Sequence, residues 1–141
     1  MTTIDDCKVI DFPRIVRPQG SLTPVDGSLV PFDVARVYYL YDVPGGTARG
    51  GHAHKELQQI IISAMGSFAV ELDDGSRRKT VRLNRGYYGL YVPRLIWREI
   101  VDFSSGGICL VLASLRYEEK EYIRDYSEFV DYRHFNERSV S

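Results

Sequence analysis

The sequence contains little of what marks several large classes of protein. Its 141 residues include only two cysteines, Cys7 and Cys109, which lie far apart and match no metal or redox spacing. An intracellular, reduced protein is therefore favoured over a disulfide scaffold. The formal net charge is only -1, whereas nucleic-acid-binding domains are usually basic, so we expect no nucleic-acid partner. No apolar run could span a bilayer and the acidic N-terminus is no signal peptide, so we expect a cytoplasmic protein with no membrane partner.

Short runs rich in β-branched and aromatic residues recur along the chain, separated by turn residues. RVYYLYDV (36–43) is followed by Pro-Gly-Gly, and SFAVELDDG (67–75) alternates apolar and polar residues before an Asp-Gly turn. No apolar pattern of helical period precedes residue 116. Strands and turns at this spacing are typical of an all-β sandwich or barrel in a single domain.

The last segment has a different pattern. It is highly charged, and its aromatic residues recur at steps of three and four, namely Tyr122, Tyr126, Phe129, Tyr132 and Phe135. These steps describe one face of an amphipathic helix, which would dock on the barrel or on a partner subunit. We therefore predict one domain over residues 1–141, with a barrel at about 9–115 and a C-terminal helix at about 117–136.

Two of the three histidines, His52 and His54, are separated by a single residue. On a strand, both imidazoles of a His-x-His pair point to the same face, which is how a protein can build a metal site. The stretch 46–66 reads G-x5-H-x-H-x4-Q-x6-G. It resembles the first motif of the cupins, with Gln59 where that motif normally has glutamate.

The stretch PRLIWR (93–98) has the spacing of the second cupin motif, with Arg98 in place of the third histidine. The resemblance implies a double-stranded β-helix, a jelly-roll barrel whose open mouth suits a small ligand. The chemistry departs from a cupin metal centre. Gln59 is neutral, and the guanidinium of Arg98 would repel a cation and cannot act as a ligand. We therefore expect no metal and no cofactor, and an acid–base role for the histidines; a purely structural role is the alternative.

Five stretches of the chain resemble one cupin family more closely, the dTDP-sugar 3,4-ketoisomerases of bacterial deoxysugar biosynthesis. They are RGGHAHKELQQ, RVYYLYD, GLYVPRLIWRE, DFSSGGICLVLAS and YIRDYSEF, and the likeness covers nearly the whole chain. The resemblance implies a metal-independent isomerase that is usually a homodimer. Its partner would be a nucleotide-linked sugar, dTDP-4-keto-6-deoxy-D-glucose, which becomes the 3-keto isomer.

The resemblance also implies roles for individual side chains. His52 would be the base that takes the C3 proton, and a neutral imidazole suits that role at cellular pH. Arg98 would stabilise the enediolate oxygen, or alternatively hold substrate hydroxyls. Tyr38 would donate a hydrogen bond or relay a proton, and His54 would be a second acid–base or an orienting group. Tyr39 points opposite to Tyr38 on a regular strand, and parity alone does not say which of them faces the cavity.

Further residues are candidates for substrate binding. Arg49 and Lys55 flank the histidine pair and could contact the diphosphate. Gln59 would project into the cavity with the histidines and Arg98, and Tyr39 is the alternative to its neighbour on the strand.

Gln19 and Arg98 occupy the two positions that differ between the branches of the family. Arg98 is typical of the branch that makes the gluco-configured product, whereas Gln19 matches neither branch, so a galacto-configured product is an alternative. Another is a dTDP-sugar 3,5-epimerase-like cupin, in which the histidine base is generally paired with an aspartate. A third is a nucleotide-sugar-binding module without catalytic activity.

Overall fold

A computed structural model describes residues 1–140, with side chains as far as Glu137, so residue 141 of the predicted domain lies outside the described residues. Residues 1–140 form twelve strands and one α-helix, together with three short 3-10 helices. The strands are β1 (Lys8–Asp11), β2 (Ile15–Arg17), β3 (Gly20–Leu22), β4 (Arg36–Leu40), β5 (Arg49–His54), β6 (Gln59–Met65), β7 (Phe68–Asp73), β8 (Arg78–Leu83), β9 (Tyr88–Val92), β10 (Trp97–Val101), β11 (Ile108–Ala113) and β12 (Tyr122–Ile123). The helix α1 is Tyr126–Val140.

Two five-stranded antiparallel sheets form the body of the molecule. The first has the strand order β1-β9-β6-β11-β4, and the second has the order β12-β5-β10-β7-β8. Among the described residues, strands β2 and β3 pair only with each other and form a separate hairpin. The all-β prediction is therefore confirmed.

The main core lies between the two sheets. Apolar residues from both sheets belong to one buried cluster, which includes Ile61 of β6, Val70 of β7, Ile100 of β10 and Val111 of β11. In β7 the inward Phe68, Val70 and Leu72 alternate with Ala69, Glu71 and Asp73, as the apolar–polar pattern of that segment predicts. The sheets thus enclose an interior to which alternate residues of each strand contribute.

Two further clusters cover the outer faces. Residues 25–32 pack against the outside of the first sheet, over Phe12, Ile60, Ile62 and Leu112. Helix α1 packs on the second sheet through Phe129, which contacts a cluster with Ala53, Leu95 and Ile123. No helix among residues 1–140 is both long enough and apolar enough to cross a membrane.

The predicted start of the C-terminal helix is wrong. The helix begins at Tyr126 rather than near 117, and Asp125 caps it by accepting a hydrogen bond from the Glu128 amide at 3.1 Å. The preceding residues form a 3-10 turn (Glu119–Glu121) and strand β12. Tyr122 and Ile123 pair with β5, an interaction with a strand about 70 residues earlier that the local helical period does not reveal.

Candidate active site

His52 and His54 lie on β5 with their side chains directed into the barrel. Between them, Ala53 points outward and packs under helix α1, as strand alternation requires. Arg98 of β10 lies directly opposite His52 in the strand register. The cross-strand pair brings together the two positions that the sequence motifs predict to share one cavity.

Arg98, Gln59 and Tyr38 form a hydrogen-bonded chain across the interior. Arg98 is 1% exposed, and its Nη1 donates to Gln59 Oε1 at 2.6 Å. The Gln59 amide nitrogen in turn donates to the Tyr38 hydroxyl oxygen at 3.0 Å. Nε and Nη2 of Arg98 both donate to the carbonyl of Ile96. The Tyr38 hydroxyl accepts in this chain, so its own proton remains available to a ligand.

The two imidazoles lie edge to face, with ring centroids 4.8 Å apart. His52 Nδ1 is 2.9 Å from the carbonyl oxygen of Gly50. A carbonyl accepts only, so Nδ1 carries the hydrogen and Nε2 of the neutral ring keeps its lone pair. His54 is fully buried, and neither of its ring nitrogens has a hydrogen-bond partner within the described chain.

The electrostatics of the site keep both histidines neutral. Burial, together with the charge of Arg98, lowers the pKa of His52 to about 3. The same two causes lower the pKa of His54 below its ordinary value. Burial also lowers the pKa of Arg98, to about 10, which leaves the guanidinium charged at neutral pH. The pKa of Tyr38 is raised by burial, so the phenol stays protonated. The site therefore presents neutral bases beside a buried cation.

The residues at this position do not fit a cupin metal centre. Arg98 places a cation opposite His52, and Gln59 is held between Arg98 and Tyr38 rather than directed at the histidines. Within residues 1–140 no group of three or more histidine, cysteine or carboxylate side chains is arranged to hold a metal ion. An ion on the two imidazoles would lack the further strong ligands that tight binding requires.

The other predicted binding residues are not brought to the histidines. Lys55 points outward, and its ammonium lies 5.6 Å from the Tyr132 ring on α1, because it shares strand parity with Ala53. Tyr39 is on the solvent side of β4, packed against Tyr41. Arg49 is exposed at the beginning of β5, and Gln19 is exposed in the turn of the β2–β3 hairpin. Contact of these four residues with substrate stays a prediction.

Tyr122 is a site residue that the sequence reasoning missed. Its ring lies 5.3 Å from that of His52 and 4.5 Å from that of His54, and its backbone pairs with His54. The sequence pattern places it on the aromatic face of the predicted helix. The motif YIRDYSEF contains it, but its place beside the histidines depends on the long-range pairing of β12.

The neutral histidines make the fold sensitive to acid. Both have a folded-state pKa below the unfolded value of about 6.5, so the unfolded chain binds more protons between about pH 6.5 and 3. The free energy of unfolding should therefore fall as the pH drops through this window, by up to about 1.4 kcal/mol per pH unit for each histidine. Urea unfolding at a series of pH values measures the slope.

A matched pair of variants tests whether His54 contributes to this pH dependence of the free energy of unfolding. His54→Gln should have a shallower acid dependence than the wild type, whereas His134→Gln, on the exposed face of α1, should keep the full dependence. Equal slopes in the wild type and in His54→Gln would contradict the burial of a neutral imidazole.

Comparison with known proteins places these observations among close relatives. The family model described as "FdtA: WxcM-like, C-terminal" matches residues 5–134. A TDP-4-oxo-6-deoxy-alpha-D-glucose-3,4-oxoisomerase from Aneurinibacillus thermoaerophilus is 43% identical over 126 residues, which are 89% of this chain and 91% of the relative.

Solved structures agree with that relationship. A histidine-to-asparagine mutant of the 3,4-ketoisomerase QdtA from Thermoanaerobacterium thermosaccharolyticum, in complex with TDP-4-keto-6-deoxyglucose, is 40% identical with a TM-score of 0.87; the match covers 90% of this chain and 93% of that one. The rmlC epimerase of Mycobacterium tuberculosis is 15% identical, with a TM-score of 0.76 over 88% of this chain and 70% of that one. At that identity the likeness shows the fold alone, and it confirms the predicted cupin barrel.

Proposed function

This chain belongs to the FdtA-like family, whose relatives include sugar 3,4-ketoisomerases, and we propose that it converts dTDP-4-keto-6-deoxy-D-glucose to dTDP-3-keto-6-deoxy-D-glucose. The observation that carries the proposal is the pair of neutral, buried imidazoles facing a buried guanidinium. Moving a carbonyl between neighbouring carbons needs a base for a weakly acidic C–H bond and a positive group for the oxyanion that forms. The site holds both.

In the first step Nε2 of His52 takes the proton from C3. The electron pair of the C3–H bond forms a C3–C4 double bond, and the former C4 carbonyl electrons move to its oxygen, giving an enediolate. The enediolate oxygen on C4 then takes up a proton and becomes a hydroxyl, a second proton adds to C4, and O3 loses its proton, which leaves the carbonyl at C3. The protons gained at O4 and C4 balance those lost from C3 and O3. His52 is suited to the first transfer because its Nδ1 is already committed to Gly50.

Arg98 supplies the positive charge for the enediolate. It makes no ion pair among the described residues, so its charge is not neutralised by a carboxylate of the chain. Its bonds to Gln59 and Ile96 hold the guanidinium in place before substrate binds, which is the preorganisation that electrostatic stabilisation requires. No metal is needed for this step, and we propose that the enzyme is metal-independent and uses no cofactor.

Tyr38 and His54 complete the proton transfers. The Tyr38 hydroxyl accepts from Gln59 and has a proton to donate to a sugar oxygen. His54 has two ring nitrogens without partners, so it can accept from one sugar hydroxyl and donate to another atom of the ligand. We propose that Tyr38 acts on the oxygen that becomes a hydroxyl and that His54 orients the sugar or relays the second proton.

Incubation with dTDP-4-keto-6-deoxyglucose in D2O, followed by NMR of the sugar, tests the function. We expect a carbonyl at C3 and deuterium at C4, after EDTA dialysis as before it. The configuration at C4 separates the expected gluco product from the galacto alternative. Deuterium at C5 without carbonyl migration would indicate the epimerase reading, and no exchange at C3 would indicate a binding module; either would overturn the proposal. A loss of activity after dialysis that added metal restores would overturn metal independence.

We also propose that the chain is a homodimer. The β2–β3 hairpin carries exposed apolar side chains, Ile15, Val16 and Leu22, and pairs with no other strand of residues 1–140. The outward face of β4 adds Val37 and Tyr39 to the exposed apolar surface. Exposed apolar side chains and unpaired strand edges are features that a second subunit would cover.

Sedimentation velocity checks the assembly. The wild type should sediment as a dimer, and Val16→Lys should shift it toward monomer because a charge on the hairpin opposes burial. Met65→Lys, also at an exposed apolar position, should leave the dimer intact. A wild-type protein that is monomeric at every concentration, or a variant at Val16 that stays dimeric, would contradict the hairpin interface.

We propose a cytoplasmic location. Cys7 and Cys109 are both free and buried, as expected of a protein that folds in a reducing compartment.

A further inference from the structure

Three buried side-chain polar atoms have no hydrogen-bond partner within the described part of the chain. They are the two ring nitrogens of His54 and Nη1 of Arg36. Buried polar atoms are nearly always paired in folded proteins, so unpaired ones that cluster mark the place of a polar ligand. Arg36 was not singled out by the sequence, and the proton transfers described above do not use it.

Arg36 is held at the interior face of β4. It shares strand parity with Tyr38, which packs against the core, and both lie opposite residues of β11. Its guanidinium carbon is 4.4 Å from the Tyr38 ring centroid and 5.2 Å from that of Tyr117. Stacking fixes the plane of the guanidinium and leaves its N–H edge free to donate, which suits an anion with several oxygens.

Two other cations near the histidines, Arg98 and Arg124, are already engaged. Arg98 is hydrogen-bonded to Gln59 and Ile96, and Arg124 donates twice to Glu119, at 2.8 and 3.1 Å. Nη1 of Arg36 has no hydrogen-bond partner, and its side chain makes no ion pair, among the described residues. It nevertheless lies close enough to His54 that its charge contributes to the lowered pKa of that histidine.

We infer that Arg36 binds the diphosphate of the nucleotide-sugar, a role that the sequence pattern predicts for Arg49 and Lys55. The inference rests on the proposed function, since it takes the ligand to be a sugar joined to a nucleoside diphosphate. Arg36 lies two residues from Tyr38, about 6.6 Å along the strand. That distance is comparable to a sugar ring with its glycosidic oxygen, so Tyr38 can contact the reacting end while Arg36 contacts the phosphate end.

Calorimetric titration with TDP, TMP and thymidine tests the assignment. Arg36→Gln should weaken TDP binding by about 10- to 100-fold, the range for a charge-assisted bidentate contact, and leave thymidine binding unchanged. Arg36→Lys keeps the positive charge but not the two-pronged guanidinium, so its affinity for TDP should lie between those of the wild type and Arg36→Gln. Arg85 is exposed and donates to the carbonyl of Asn84, so Arg85→Gln is the matched control and should bind TDP as the wild type does.

The outcomes separate this inference from the proposed function. TDP binding by Arg36→Gln equal to wild type would overturn the inference, and a loss at Arg49→Gln instead would assign the diphosphate to Arg49. If Arg36→Gln weakened the binding of TDP and thymidine equally, the substitution would have disturbed the site around Tyr38 in general, and this result would also overturn the inference. A wild type that binds TDP through Arg36 but forms no 3-keto sugar would retain the inference while refuting the isomerase activity.

Discussion

We expect the replacement of His52 by asparagine to reduce kcat for isomerisation by about 10²- to 10⁴-fold or more. The side chain of asparagine can still donate to the Gly50 carbonyl, as Nδ1 of His52 does at 2.9 Å, but it offers no nitrogen lone pair to take the C3 proton. The affinity for TDP should change little, because the base contacts the sugar end of the ligand. Steady-state kinetics and TDP titration measure the two effects separately.

A second histidine provides the control. His134 lies on the exposed side of α1, so His134→Asn should have wild-type kcat and KM. Wild-type turnover in His52→Asn would remove His52 from the mechanism. Loss of exchange of the C3 hydrogen with solvent, followed in D2O, should accompany the loss of turnover, because that exchange requires the same base.

The fold and the centre of the site could be predicted from local patterns. Alternation within strands predicted an all-β sandwich or barrel, and the resemblance to two cupin motifs implied the barrel. The register of β5 and β10 brings His52 and Arg98 together, as those motifs predict. Parity on β4 could not choose between Tyr38 and Tyr39 from sequence. The structure places Tyr38 against the core, where it meets Gln59.

The rest of the site depends on pairings between distant segments. Tyr122 fits a helical period and yet lies on a strand, because hydrogen bonding to β5 stabilises the extended conformation more than the local pattern favours a helix. No sequence motif singles out Arg36. It stands out only in the structure, where its buried Nη1 has no hydrogen-bond partner among the described residues. The hydrogen bonds that hold Arg98 likewise could not be read from its spacing.

Arg98→Met should reduce kcat by about 10²- to 10³-fold without unfolding the protein. Methionine fills the buried space without a charge, so the enediolate would form with no cation beside it. Stability should change little, because two effects oppose each other. The variant no longer buries a guanidinium that has no carboxylate partner, and the desolvation of such a group costs several kcal/mol in proteins. It also leaves Gln59 Oε1 and the Ile96 carbonyl without donors, at about 1–3 kcal/mol each.

Kinetics and thermal unfolding of two variants decide what Arg98 does. Arg98→Lys keeps a positive charge and should retain more activity than Arg98→Met, although it loses the guanidinium that donates hydrogen bonds to both Gln59 and Ile96. If Arg98 only holds substrate hydroxyls, Arg98→Met should raise KM and leave kcat unchanged, because uniform binding is lost while the barrier from the bound state stays the same. The alternative result has three parts: kcat of Arg98→Met falls, its C3 exchange slows in parallel, and its unfolding temperature stays near that of the wild type. That result would show that the buried charge acts on the transition state. The guanidinium then stands where other cupins place a metal ligand and stabilises the oxyanion itself.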